Sequence, residues 1–237
     1  MYKKNSLIII CLLTLFFSCK EDIKITFEDL NITTENNTIV EVNIPKALGN
    51  KSITHNINSE IEKAVIRNLH IGELDSITSA SIEESITEFN KAFIKFQNDF
   101  PETAQIWDAQ IDGETMLNSP EIISLALTSY LNTGGAHGML HISFLNFETS
   151  TGKLIPNENL ITDTAAFKQI ALPYFREATK EKYLFETELD TFTLPENIGY
   201  NDEGMVLLYN AYEIAPYSTG IIEFVVPLNE IESCINF

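Results

Sequence analysis

The sequence is poor in basic residues. Its 237 residues include 15 Lys and Arg against 34 Asp and Glu, which gives a formal net charge of −19. A chain this acidic repels the phosphate backbone of DNA and RNA, so nucleic-acid binding is excluded as its function. The charge would attract cationic partners. Alternatively, its only role is to keep the protein soluble.

Long hydrophobic runs are also absent. The most apolar segment spans residues 7–17, whereas a membrane-spanning helix needs about 20 apolar residues. The segment follows two lysines and ends just before Ser18 and Cys19, which is the layout of an export signal peptide. A small residue before a cysteine here resembles the lipobox of bacterial lipoproteins, although the two phenylalanines before it depart from the usual pattern. We predict a signal peptide at residues 1–18 and a lipid on Cys19; an ordinary cleaved signal with an incidental cysteine is the alternative.

The residues that follow Cys19 bear on location. Lys20-Glu21-Asp22 resembles a surface-export signal of some Gram-negative lipoproteins, and a plain acidic tether is the other interpretation. We expect a lipid-anchored protein of the outer membrane that is exposed at the cell surface, or else faces the periplasm, with a lipidated tether at residues 19–37. Removal of the signal peptide takes away two lysines and no acidic residue, so the net charge becomes −21.

Cysteine is scarce, which bears on stability. Of the three cysteines, Cys11 would leave with the signal peptide and Cys19 would carry lipid, so Cys234 is the only remaining thiol. No intramolecular disulfide can then form, and the fold must depend on its hydrophobic core. Hydrophobic residues make up 44% of the chain, enough for one domain of two lobes or for two small domains.

The hydrophobic periodicity places helices and strands in separate groups. Ser59 and Ser81 begin capping boxes, and Pro45 is expected to end a strand. In chain order the pattern predicts a strand at 38–44, helices beginning at 59 and spanning 81–100, strands at 106–114, 122–131 and 140–147, a helix at 164–181, and strands at 205–214 and 219–227. This order favours an α+β fold with antiparallel sheets and helices packed on one side. We place an N-terminal lobe at 38–115 and a C-terminal lobe at 116–237.

The helix predicted at 81–100 carries a stripe of phenylalanines. They recur at helical spacing and end at Phe100. Such a stripe packs into a core more often than it lines a groove for a partner, so we expect core packing.

Two stretches resemble a known family. The first reads YLNTGGAHG at 130–138, and the second reads LPEN at 194–197 followed by YNAYEIAPYSTG at 209–220. Together they resemble the extracellular module shared by the lysozyme-sensing anti-sigma factor RsiV and the N-terminal region of the peptidoglycan deacetylase PdaC. The resemblance covers about residues 38–232, with the N-terminal lobe similar to PdaC and the C-terminal lobe similar to RsiV.

The resemblance implies a two-part α+β module that acts outside the cytoplasm. It also implies a partner at the cell wall, either a lysozyme-like cationic protein or a peptidoglycan fragment. The sequence has no transmembrane helix, sigma-binding segment or deacetylase domain, so we expect the bare module on a lipid anchor.

The glycine-rich stretch contains the first candidate ligand-binding residues, Gly134, Gly135 and His137. It lacks the Lys and Ser/Thr of a phosphate-binding loop, so a tight connection between strands is the structural alternative. His137 and His141 are four residues apart, but this spacing crosses a turn instead of following a helix. We therefore predict no metal site and no cofactor.

The second stretch adds Tyr209, Tyr212, Glu213 and Tyr217 as candidates. Their rings and carboxylate would suit a glycan, by stacking and hydrogen bonding. In a regular strand, however, Tyr209 and Tyr212 would face opposite sides, and packing of the core or of a sheet edge is the alternative.

These observations favour a non-enzymatic, lipid-anchored module that binds an extracytoplasmic ligand. A hydrolase or esterase acting on envelope glycans, and a structural assembly lipoprotein, are the alternatives. The sequence contains no nucleophile elbow that would support the enzyme.

Overall fold

A computed structural model describes residues 24–103, 105–185 and 192–236. The predicted signal peptide, Cys19 and residues 20–23 lie outside the described residues. In the part of the chain that is described, none of the helices combines the length and the apolar character needed to cross a membrane.

The described residues form two sheets and four α-helices. In order these are β1 (Thr26–Ile32), β2 (Val40–Leu48), α1 (Lys51–Leu69), α2 (Ile82–Asp99), β3 (Asp108–Asn118), β4 (Ile122–Asn132), β5 (Met139–Glu148), α3 (Thr164–Thr179), β6 (Asn197–Tyr200), β7 (Gly204–Tyr209), β8 (Ile222–Pro227) and α4 (Leu228–Ile231). The first sheet has the strand order β1-β2-β3-β4-β5 and the second β6-β7-β8. The α+β class and the two-lobed organisation predicted from the sequence are confirmed.

One strand pair departs from the predicted antiparallel pattern. β2 and β3 are parallel, because α1 and α2 lie between them in the chain and return it to the same end of the sheet. The other neighbouring strands of both sheets are antiparallel.

The start of the first sheet differs from the prediction at two places. Residues 26–32, predicted as part of the tether, form β1, which pairs with β2 along its whole length. Pro45 lies inside β2 and does not end it. The pairing of β2 with β3 stops at Asn43 and Asp112, so the missing N–H of Pro45 leaves no bond to β3 unmade.

The two helices of the first lobe begin at different kinds of signal. α2 begins as predicted, with Ser81 accepting a hydrogen bond from the N–H of Glu84 at 3.2 Å. The helix start predicted at Ser59 is wrong, since this residue lies in the middle of α1. The N-cap is Asn50, whose Oδ1 accepts from the N–H of Ser52 at 3.0 Å.

Trp107 joins the aromatic stripe of α2 to the sheet. Its ring centre lies 5.7 Å from that of Phe89, 5.8 Å from Phe93 and 5.3 Å from Phe96. Phe89 is buried, whereas Phe100 beyond the helix end is 58% exposed. The stripe therefore packs into the hydrophobic core of the first lobe, as expected, except at Phe100.

The lobes divide after β5. The predicted boundary between residues 115 and 116 falls inside β3, and β4 and β5 extend the first sheet instead of starting the second lobe. The second core is formed by residues from Leu160 to Cys234, together with Ile122 of β4. Cys234 is a buried free thiol.

In the second lobe, β7 ends at Tyr209, so the strand predicted over 205–214 is too long. The sequence also predicts a kink or restart at Pro173, because proline removes the hydrogen bond to Gln169. α3 instead continues through Pro173 as one helix that begins at the N-cap Asp163.

Buried polar contacts join the lobes. The Oγ of Ser124 in β4 accepts a hydrogen bond from the N–H of Tyr200 at 3.0 Å, and Nδ2 of Asn146 in β5 donates to the carbonyl oxygen of Ile198 at 2.7 Å. Ser124 and Asn146 are almost fully buried. Because these bonds connect β6 to the face of the first sheet, they hold the second lobe in one position against it.

Candidate functional site

The two stretches that carry the family resemblance meet at one place on the surface. The turn between β4 and β5 lies beside the loop that follows β7. Here the rings of His137 and Tyr217 are stacked, with centroids 3.8 Å apart and planes inclined by 16°. The ring of Tyr212 lies 5.6 Å from that of Tyr217. We call these three side chains the aromatic platform.

Backbone contacts fix the stacked pair. The hydroxyl of Tyr217 donates to the carbonyl oxygen of Gly138 at 3.0 Å. Nδ1 of His137 lies 3.0 Å from the same oxygen. One carbonyl therefore holds a residue from each lobe, so the stack depends on the relative position of the lobes.

Tyr212 is exposed and has an unusual backbone conformation. It lies in a turn after β7, with φ of 72°, and 49% of its surface is exposed. The sequence-based expectation that Tyr209 and Tyr212 alternate along one strand is therefore wrong. A non-glycine residue in the left-handed region costs about 1–2 kcal/mol, so the loop holds this ring outward at an energetic cost.

Asn210 attaches the platform loop to the edge of β5. Its Oδ1 accepts from the N–H of Ile142 and its Nδ2 donates to the carbonyl oxygen of Ile142, both at 2.8 Å. The side chain therefore acts as a short extra strand at the sheet edge. It is only 8% exposed. This residue lies in the motif but was not among the predicted site residues.

The carboxylate of Glu213 holds the platform loop through two hydrogen bonds to backbone groups. Its Oε2 accepts from the N–H of Asn210 at 2.8 Å, and its Oε1 accepts from the N–H of Glu196 at 2.9 Å. The carboxylate predicted to contact a ligand thus already binds two backbone groups. Its role in this geometry is to position the backbone of Asn210 and Glu196.

Tyr209 does not belong to the platform. It is 1% exposed, and its hydroxyl donates to the carbonyl oxygen of Thr193 at 2.6 Å. Burial, with a smaller contribution from the charge of Glu213, raises the pKa of its phenol. Its ring packs against Phe175 and Phe224, so Tyr209 is part of the second core.

Gly134 and Gly135 shape the turn beside the platform. Both have positive φ, 89° and 117°, which glycine adopts without strain. A side chain at Gly134 would overlap the amide of Gln105, whereas Gly135 faces open space. Gly134 is therefore required for close packing, and Gly135 is the one of the pair that could face a ligand.

His141 lies on the edge strand near the same loop. Partial burial holds its pKa below the ordinary value, and the negative charges of Glu196 and Glu213 oppose this shift. Among residues 24–103, 105–185 and 192–236, no group of three or more His, Cys, Asp or Glu side chains could hold a metal ion.

The arrangement offers flat aromatic faces beside negative charge. Aromatic faces attract cations and pack against apolar faces of a ligand, and tyrosine is enriched at protein interfaces. The platform is open and held by hydrogen bonds across both lobes, so it is suited to binding a ligand without rearrangement.

Comparison with protein families agrees with this organisation. Residues 32–140 match the family model described as deacetylase PdaC, and residues 158–229 match the model described as a protein of unknown function, DUF3298. The N-terminal part of the chain is therefore similar to the PdaC family and the C-terminal part to the DUF3298 family. The interval between the two matched regions, residues 141–157, contains most of β5 and the division between the lobes that follows it.

Two solved structures share the fold. A DUF3298 family protein from Pseudomonas aeruginosa PAO1 is 19% identical, with a TM-score of 0.61, and the match covers 91% of this chain and 96% of that one. A member of the same family from Bacteroides fragilis is 16% identical, with a TM-score of 0.63, and the match covers 90% and 94%. No curated protein matches the chain in sequence.

Proposed function

We propose that this protein is a lipid-anchored, non-enzymatic module of the cell envelope that binds an extracytoplasmic ligand at the aromatic platform. The observation that carries the proposal is the platform itself. Two motif segments, distant in sequence and in different lobes, place His137, Tyr217 and the strained, exposed Tyr212 side by side. A loop whose only role was packing would not need to expose a ring at an energetic cost.

The first candidate ligand is a cationic protein of the lysozyme type. The residue Glu196 is exposed, and its carboxylate is close enough to His141 to oppose the lowering of the pKa of that ring, so negative charge lies at the edge strand β5, to which the platform loop is attached. An arginine or lysine of the partner would stack on a tyrosine face and pair with this carboxylate. The net charge of −19 would accelerate association with a basic protein.

Calorimetry with lysozyme at low and at moderate salt tests this candidate. We expect binding that weakens as salt rises, because charge steering is screened. The informative variant is Tyr212→Asn, which removes a platform ring while keeping a residue that tolerates positive φ. Its matched control is Glu181→Asn, the same kind of change at the second non-glycine residue that has positive φ, 63°, among the described residues. Absence of binding at both salt concentrations would exclude the lysozyme candidate.

A peptidoglycan fragment is the second candidate, and the stacked, solvent-facing rings of the platform favour it. A sugar ring would stack on Tyr212 or Tyr217 through its C–H groups. Co-sedimentation with purified peptidoglycan, with the same two variants, tests it. If Tyr212→Asn sediments with peptidoglycan to the same extent as the unaltered protein, the platform is not the surface that binds the cell wall.

The lipid anchor is tested separately. The Cys19→Ser variant should release the protein from the membrane fraction and abolish incorporation of a labelled fatty acid. Protease treatment of intact cells then distinguishes a surface-exposed from a periplasm-facing location. Membrane association of Cys19→Ser equal to that of the unaltered protein would contradict lipidation at this residue.

The enzyme alternative is weaker at this place in the structure. The contacts of His137 are a backbone carbonyl and a tyrosine ring, and the described contacts include no serine or carboxylate paired with it. Release of reducing sugars or acetate from peptidoglycan by the purified protein, abolished by His137→Gln, would establish an enzyme instead.

A further inference from the structure

A cavity lies in the first lobe, away from the platform residues. It has a volume of about 190 Å³ and lies between the C-terminal part of α1, the N-terminal half of α2 and the segment that connects them. Ile66, Leu69 and Phe89 form apolar walls, and each is more than nine-tenths buried. Ile71 also lines the cavity and is 44% exposed, so the cavity opens to solvent beside it.

Ser85 lines this cavity and has one polar atom without a hydrogen-bond partner. The residue is 5% exposed, and its Oγ is buried without a hydrogen-bond partner. A buried hydroxyl that makes no hydrogen bond destabilises the fold. Alanine would fit α2 at this position with better helix propensity, so the fold alone does not require the hydroxyl.

The ionisable groups around the cavity already have partners. Glu88 forms an ion pair with Lys91 at 2.7 Å. Nε2 of His70 lies 3.0 Å from the carbonyl oxygen of Glu73 and 2.9 Å from the Oγ of Ser76. A charged ligand would have to leave water without gaining a free counter-ion, which is unfavourable.

We propose that this cavity binds a small uncharged molecule with an apolar ring or short chain and one hydroxyl or carbonyl group. The apolar part contacts Leu69 and Phe89. The polar group hydrogen-bonds to Ser85 Oγ and so satisfies the one unpaired atom. This site is independent of the aromatic platform and of the partner proposed there.

Phenol and toluene are suitable probes, since they have similar shapes and differ in one hydroxyl. Titration of the mature chain, followed by amide chemical shifts in NMR, should show saturable shifts confined to the cavity residues. Phenol should bind about tenfold more tightly than toluene, the effect of one neutral hydrogen bond. Ser85→Ala should remove this preference, whereas Ser233→Ala in the second lobe should keep it.

A second variant tests whether the probes bind in the cavity itself, in case Ser85→Ala changes binding through an indirect effect on the fold. Ala92 lines the cavity, so Ala92→Leu should fill it and abolish binding of both probes. Shifts that never saturate in the unaltered protein would mean that the cavity holds water only. Retention of the phenol preference in Ser85→Ala would equally overturn the proposal.

Discussion

Asn210→Asp tests how the platform loop is attached to the first lobe. The change replaces the Nδ2 donor with a second carboxylate oxygen and alters almost no volume. The bond from the N–H of Ile142 can persist, but the bond to its carbonyl oxygen is lost, and two oxygens now face each other at a site that is 8% exposed.

The expected loss of stability follows from these contacts. A lost hydrogen bond costs about 0.5–1.5 kcal/mol, and a carbonyl left buried without a partner costs about 1–3 kcal/mol. The sum predicts that the free energy of unfolding falls by about 1.5–4.5 kcal/mol. The carboxylate of Glu213, which binds the backbone N–H of Asn210, adds repulsion of the same sign.

Urea denaturation of the non-lipidated mature chain measures this loss, with Asn229→Asp in the exposed part of α4 as the matched control. The loss should depend on pH. Burial and the facing oxygen would raise the pKa of the new carboxyl in the folded state, so the loss is largest above this pKa and shrinks as pH falls and the acid can donate a proton. A loss below about 1 kcal/mol at pH 8, or one that does not shrink towards pH 5, would refute the assigned role of Asn210.

Three further changes test other parts of the fold. Glu181→Gly should stabilise the protein by about 0.5–1 kcal/mol in thermal denaturation, because glycine adopts the positive φ that follows α3 without strain; a lower melting temperature would contradict this. Gly152→Ala should cost more than about 2 kcal/mol, since its φ is 68° and a Cβ would overlap the backbone carbonyl of Ile53, and a near-neutral result would show that α1 can move aside. Burial lowers the pKa of His141 in the fold, so the neutral ring is favoured and stability falls as pH drops from about 6.5. His141→Gln should lose less stability than the unaltered protein between about pH 7 and pH 5, and identical pH profiles would count against this assignment.

The sequence was most informative where one pattern had one interpretation. α2 combines a serine cap with a long apolar stripe, and both its start and its buried face are as predicted. For α1 the pattern was misleading, because Ser59 and Glu62 have capping-box spacing inside a helix. The true cap, Asn50, follows Gly49 with φ of 138°, and backbone conformation of this kind cannot be read from residue type.

The pairing of strands was less predictable than their positions. Alternating residues in β2 and β3 indicate strands but do not distinguish parallel from antiparallel neighbours. The predicted lobe boundary falls inside β3 for a related reason, since β3, β4 and β5 continue one sheet. Gly152 and Pro156 follow β5, but Pro120 and Gly134 lie in the connections between β3, β4 and β5, so turn residues do not single out the division.

The candidate site was partly predictable. The motifs contain His137, Tyr212 and Tyr217, and the structure brings these three together. Tyr209 is buried in the second core, and Glu213 binds two backbone N–H groups. The sequence did not reveal these contacts, because whether a side chain faces the core or solvent here depends on a turn that begins one residue after β7. Asn210 lies in the second motif, but the motif alone did not reveal its role, since its contact with Ile142 arises only when the edge of β5 lies opposite it.

The energetic cost at Tyr212 separates a structural from a functional role for the platform. Its left-handed backbone costs about 1–2 kcal/mol, while the aromatic contact with Tyr217 returns about 0.5–1.5 kcal/mol. The ring is 49% exposed, so burial offsets little more. Folding therefore gains almost nothing from a tyrosine at this position, and Tyr212→Asn should leave the free energy of unfolding within about 1 kcal/mol of its original value. If that variant also bound lysozyme and peptidoglycan unchanged, the exposed ring would have neither a structural nor a binding role, and the platform would have to be abandoned as the binding site.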